Sequence, residues 1–188
     1  GRRDLLIVDE LAFLENGVDL GGTDAGVHAY GQVANFHIEA KVCPNAEAAF
    51  DYLNQYLPED IGIYSCRNVS ERFHARLNAK TKTYVYRIWN SEAPCVFERK
   101  FVYIYTQTLD LERMRQASSY FLGTHDFSAF CANKNMKKST VRHIDSFEII
   151  ESQDEIRFSV TGNGFLHHMV RIMVGTLLEV GRGEREPE

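Results

Sequence analysis

The sequence predicts an α+β fold. Two segments, 46–57 and 110–121, carry apolar residues at helical spacing: Ala49, Phe50, Leu53 and Leu57 in the first, Leu111, Met114, Ala117 and Phe121 in the second. Around them lie runs that alternate or are rich in β-branched and aromatic residues, at 32–40, 61–66, 83–89, 139–152 and 155–162. The order is strand, helix, strand, strand, then helix, strand, strand, helix, with no flexible linker between the halves. Helices set against an antiparallel or mixed sheet are the packing this order favours. The division expected is an N-terminal half, 1–100, and a C-terminal half, 101–188.

In chain order, Asp4 to Leu14 fits either a short helix or a strand, and Glu15-Asn16-Gly17 is a turn signal. In 32–40, Val33, Asn35 and His37 alternate with Ala34, Phe36 and Ile38, as in a half-buried strand. Asn45 is the N-cap expected for the first helix, and Pro58 ends it. Thr83 to Trp89 reads as a strand, and Phe101 to Tyr105 as a short connector strand. Asp110 caps the second helix, which runs through Ser118 and Phe121 to a C′ glycine, Gly123. Thr124 to Met136 reads as a loop. Gln153-Asp154 joins two strands as a hairpin, and Asn163-Gly164 breaks the pattern. Phe165 to Val180 is apolar on most sides, the mark of a buried helix.

At 188 residues and 44% hydrophobic, the chain is large enough to bury a core. Its net charge of −5 argues against a nucleic-acid binder, but local patches matter more than the total. Four cysteines form no Cys-x-x-Cys pair and no zinc spacing with the seven histidines, so reduced thiols in a cytoplasmic protein are expected. No apolar run approaches about 18 residues, and no signal peptide is read at the start.

Gly21 to Ala29 is a polar, glycine-punctuated loop running into the 32–40 strand. It holds one carboxylate, Asp24, close to His28. A carboxylate in such a loop is either a catalytic group or an ordinary turn residue bonded to local backbone N–H groups. Two segments concentrate positive charge. Residues 67–87 hold six Lys or Arg and one acid, Glu71. Residues 134–143 hold Lys134, Lys137, Lys138, Arg142 and His143 and no acid. Each is either a solvated face or a set of phosphate contacts. Arg72, Arg76, Lys80, Lys82, Lys137 and Lys138 are the candidate contacts. Tyr84 and Phe127 lie near these segments, and exposed aromatics beside cations suit unstacked bases of looped RNA. Ordinary core packing is the competing role for both rings.

His167 and His168, placed in the last helix, would face different ways and so make no metal pair. Arg171 is a cation in a mostly apolar helix and calls for a carboxylate, with Asp24, Asp145 or Asp154 as partners. The 21–26 glycines lack the Gly-Lys-Ser/Thr of a phosphate-cradling loop, and no Ser-His-Asp or Cys-His arrangement is visible.

Four ordered motifs then carry a resemblance. Gly21-x-Thr23-Asp24-Ala25-Gly26-Val27-His28-Ala29, followed by Gly31-Gln32-Val33-Ala34, resembles the active-site motif of the TruA family of tRNA pseudouridine synthases. Phe73-His74-Ala75-Arg76 with Lys82 to Ile88 resembles the second motif, and Gly123 to Phe130 the third. Gly164 to Arg171 with Val174 to Leu177 resembles the fourth. The resemblance implies a pseudouridine synthase fold, in which two α+β halves with flanking helices share a mostly antiparallel sheet and enclose a positively charged cleft. It implies a cofactor-free isomerase that turns uridine into pseudouridine in the anticodon arm, at tRNA positions of about 38 to 40, on a nucleotide taken out of the stack. A cytoplasmic homodimer acting on tRNA, with no membrane and no metal, goes with it.

By this resemblance Asp24 is the catalytic carboxylate, attacking ribose C1′ or assisting glycosidic cleavage through the sugar. Tyr84 packs on the flipped base and helps remove the C5 proton, with Phe127 and Phe130 as secondary aromatics. Arg171 pairs with Asp24 and holds it ionised. The chain departs from the pattern at Gly22, where the family carries arginine, and over residues 1–20, which implies a shortened N-terminus. The alternative expectation is a tRNA-binding relative with impaired or lost catalysis.

Overall fold

A computed structural model describes residues 2–12, 27–39 and 41–188, with the backbone alone at 2–12, 37 and 39. The chain packs as two compact units, Gly1–Ala79 and Lys80–Glu188. The α+β class expected from the sequence is the class observed, and its strands hydrogen-bond as two sheets, one in each unit.

In the first unit, β1 (Arg2–Ala12) lies between β2 (Gln32–Glu39) and β3 (Ile61–Val69) and is antiparallel to both. The stretch from Asp4 that fits a helix or a strand is therefore the central strand. Its apolar run is too short for periodicity to decide, and pairing on both edges settles the matter. Its register against β3 shifts on either side of Asp9, the mark of a bulge. The helix α1 (Ala46–Tyr56) starts where expected: the Asn45 side chain accepts from the Ala48 N–H at 2.8 Å. Leu57, ahead of Pro58, is already extended. Asn54 joins α1 to β3, donating from Nδ2 to the Ile63 carbonyl at 3.0 Å and accepting the Ile63 N–H at 2.8 Å. Phe36, Ile38 and Cys66 close a small core over Cys43 and Ala49.

The second unit contains β4 (Lys82–Trp89), β5 (Tyr103–Ile104), α2 (Leu111–Ser119), β6 (Gly123–Asp126), β7 (Val141–Ser152), β8 (Glu155–Gly162) and α3 (Met169–Gly181). Its sheet runs β5-β4-β8-β7-β6, antiparallel except for the parallel β4–β5 pair. Because β4 pairs with β8, residues 82–89 belong with the C-terminal unit, and the chain divides at 79/80 where the sequence reading divides at 100/101. Alternate residues of β8, Ile156, Phe158 and Val160, meet Met169, Met173 and Leu177 of α3 in one core with Met114 of α2. Burying each of these large side chains contributes about 1.5–3 kcal/mol.

Three boundaries differ from the expected ones. The helix α2 ends at Ser119, because its last turn tightens to three-residue bonds (Tyr120 N–H to Ala117, Phe121 N–H to Ser118, Leu122 N–H to Ser119). Gly123, at φ +92°, then turns the chain into β6. The expected loop 124–136 contains most of β6 and a 3₁₀ turn, Ser128–Phe130. Finally, α3 starts at Met169 and not at Phe165, because His168 sits at φ +57° and the Met169 N–H closes on the Leu166 carbonyl at 3.0 Å.

Gly162, at the end of β8, lies against the backbone of β7. A Cβ there would lie 2.5 Å from the His143 carbonyl oxygen and 3.0 Å from Ile144 Cδ1. The obstacle is backbone, so Gly162→Ala is expected to cost about 2 kcal/mol, the scale of overpacking. Urea unfolding checks this, and an unchanged midpoint would mean that the two strands part at little cost.

Candidate functional site

The pleat of β4 puts Tyr84, Tyr86 and Ile88 on one face, toward α3. Ile88 is fully buried and anchors the row, while the two tyrosines are half-buried. Tyr84 meets Phe165 edge-to-face, ring centroids 5.0 Å apart and planes at 82°. Burial pushes the Tyr86 hydroxyl's pKa up, and the positive charge of Arg171 on the first turn of α3 pulls it back. Tyr84 and Arg171, remote in sequence, thus lie along the same β4–α3 seam.

The turn ahead of α3 is held from several sides. The Asn163 N–H donates to the His143 carbonyl, and the Asn163 side-chain oxygen accepts the His143 N–H, both at 3.0 Å. Leu166 is buried, and the His167 carbonyl accepts the Ala132 N–H at 3.0 Å. That last bond brings the lysine loop, 131–140, to the Phe165–His168 turn. The loop is closed at its base by Asp126, whose carboxylate accepts from the Thr140 hydroxyl and from the Ser128 N–H; these bonds hold its pKa below the usual range. Lys134, Lys137 and Lys138 are exposed along it. Arg142 donates to the Ser139 and Val141 carbonyls, and His143 lies between the Thr124 hydroxyl at 2.7 Å and Asp145 at 3.6 Å. Arg142 and His143 are occupied locally, which leaves the lysines as the open charges of this segment.

In the first unit, Arg72 and Arg76 are exposed on a shaped loop. His74 Nδ1 accepts the N–H groups of Arg76 and Leu77, which puts the ring proton on Nε2, and the Asn35 side chain of β2 accepts the Ala75 N–H at 2.8 Å. In the second unit Lys80 is exposed and Lys82 half-buried. Arg87, the last cation of the 67–87 run, is structural. Its Nε and Nη2 grip both oxygens of Glu155 at 2.6 and 2.9 Å, while Nη1 reaches Glu98 at 2.9 Å. Glu155 is 7% exposed and also accepts from Arg157, and these partners, Arg87 above all, pull its pKa to about 2.

Several expectations need correction. Phe127 is 2% exposed and belongs to the core, so the ordinary packing role holds for that ring; Phe130 is half-buried against Phe121 and Phe127. His167 and His168 precede α3 and do not point apart, since their rings stack at 3.9 Å. Arg171 is exposed, and among the described residues no carboxylate pairs with it; Asp145 faces His143 instead. Asp24 and the rest of the 21–26 loop lie outside the described residues. Phe165 and Tyr86 were missed by sequence reasoning. The period-two run Tyr84-Val85-Tyr86 was the available signal for Tyr86, and the Asn163-Gly164 break was the signal that Phe165 lies in a turn.

Among the described residues, no group of His, Cys, Asp and Glu could hold a metal ion, and no helix is long and apolar enough to cross a membrane.

Comparison with known proteins bears on the same segments. The family model described as tRNA pseudouridine synthase matches residues 117–188, which take in the lysine loop, the turn ahead of α3 and Arg171. A protein named tRNA pseudouridine synthase A 2 from Bacillus anthracis is 47% identical over 166 residues, covering 88% of this chain and 67% of the relative. One named tRNA pseudouridine synthase A from Bacillus sp. (strain KSM-64) is 48% identical over 168 residues, covering 89% of this chain and 68% of the relative. Identity near one half, sustained over most of this chain and two thirds of each relative, makes the chain a member of the tRNA pseudouridine synthase family.

Proposed function

We propose that this chain converts uridine to pseudouridine in tRNA, in the anticodon arm at positions of about 38 to 40, on a nucleotide flipped out of its stack. Asp24 is the catalytic carboxylate. The glycosidic C1′–N1 bond breaks, the uracil turns, and a C1′–C5 bond forms; the C5 proton leaves and N1 ends protonated, so no co-reactant is consumed. Tyr84 supplies a ring for the detached base and helps take the C5 proton. Arg171 stands as a cation for Asp24, and an adjacent guanidinium favours an ionised carboxylate. Arg72, Arg76, Lys80, Lys82, Lys137 and Lys138 contact phosphates. The enzyme acts as a cytoplasmic homodimer without a cofactor.

The observation that carries this reading is the seam on which Tyr84 and Arg171 both lie, with the lysine loop bonded to the turn beside them. The test is incubation with unmodified tRNA, followed by detection of pseudouridine in the anticodon arm. Product at those positions is expected. Its absence at high enzyme concentration, with tRNA still bound in a salt-dependent manner, would establish the second reading, a binding relative without catalysis, which Gly22 in place of the family's arginine favours.

A further inference from the structure

We infer that Phe165 is a positioning residue for the reaction, acting through the ring of Tyr84; this rests on the catalytic reading of Tyr84 above. Tyr84 pairs across the sheet with Val160 of β8, and Lys82 pairs with Gly162. The chain leaving β8 therefore departs beside Tyr84's own end of β4. It turns at Asn163-Gly164 and brings Phe165 onto the Tyr84 ring, at 5.0 Å and 82°.

The position of Phe165 is set by bonds that do not involve Tyr84. Upstream, Gly162 lies against the β7 backbone and Asn163 is bonded in both directions to His143. Downstream, Leu166 is buried, its carbonyl accepts the Met169 N–H, and the His167 carbonyl accepts from Ala132. His168 in the left-handed region is a strained conformation for a residue with a side chain, and these contacts hold it there. The backbone that carries the Phe165 ring is thus held in place independently of Tyr84. Tyr84 sits on a strand and is half-buried, and the edge-to-face contact limits rotation of its ring about the side-chain bonds. A ring that must receive a detached uracil and take its proton loses rate with small errors of placement. Phe165 needs no contact with substrate to act in this way.

The experiment measures single-turnover pseudouridine formation at saturating protein, tRNA affinity and thermal melting for the wild type, Phe165→Leu, Phe165→Tyr and Tyr84→Ala. In Phe165→Leu the rate is expected to fall about tenfold with affinity unchanged, since alignment is needed in the transition state and not for phosphate binding. Phe165→Tyr keeps the ring and restores the rate. Should Phe165→Leu lose its cooperative melt, Phe165→Met, closer in length and also without a ring, takes its place. A folded ringless variant that reacts at the wild-type rate overturns the inference alone, and so does a rate loss that the tyrosine variant fails to restore. Wild-type activity in Tyr84→Ala overturns the catalytic reading of Tyr84, and this inference with it.

Discussion

Replacing Asp24 with alanine is expected to lower pseudouridine formation by about 10³-fold or more, the scale for losing a group that acts in the bond-breaking step. Affinity for tRNA should stay within about threefold, because phosphate contacts supply most of it. Asp24 is the single acid between Leu20 and Glu39, in a stretch whose glycines permit close approach by a substrate. Cleaving a glycosidic bond without net hydrolysis needs a carboxylate placed against the sugar and sheltered from water. The check is single-turnover kinetics with unmodified tRNA, alongside a binding isotherm at one fixed salt concentration. A variant that retains a rate within tenfold of wild type would remove Asp24 from the mechanism, and equal losses of rate and binding would make it a structural loop residue.

The second large effect concerns stability. Glu155 is buried on the opening residue of β8, with Arg87 across the sheet and Arg157 two residues along. Hydrogen bonds from Arg87 lead the causes that lower its pKa from 4.5 to about 2. A carboxyl that ionises more readily in the folded state adds stability that is fully present above its unfolded value and drains away as pH falls through the folded one. Glu155 therefore contributes about 3 kcal/mol at neutral pH, lost between pH 4.5 and about 2. Glu155→Gln keeps the shape but removes the charge that Arg87 and Arg157 share, so a loss of about 3 kcal/mol at pH 7 is expected. Urea unfolding across this pH range should show wild type losing stability more steeply than the variant. Parallel pH profiles would mean that the pair is energetically neutral.

How much was legible in the sequence depends on the range of the interactions involved. Asn45 and Asp110 cap their helices as read, because an N-cap bonds to a residue three positions away. The hairpin at Gln153-Asp154 was legible for the same reason. The start of α3 was not: residues 165–168 look helical by composition, and it is bonding to Ala132 and the buried Leu166 that holds them in a turn. Likewise β6 is short and polar, and exists because β7 supplies its hydrogen bonds.

The same division runs through the candidate site. By itself the sequence determined the α+β class, the helix caps, the four motifs and the chemical types at Asp24, Tyr84 and Arg171, since these depend on residue identity and local spacing. Tertiary structure alone decided that Arg87 is consumed by Glu155, that Phe127 is core, that Arg142 and His143 are occupied while the neighbouring lysines are open, and that Phe165 rests against Tyr84. Each of those outcomes depends on which distant group arrives opposite a given side chain. Composition does not encode it, because the cations and rings of the basic segments are alike in type and differ only in the neighbours that the strand pairing brings.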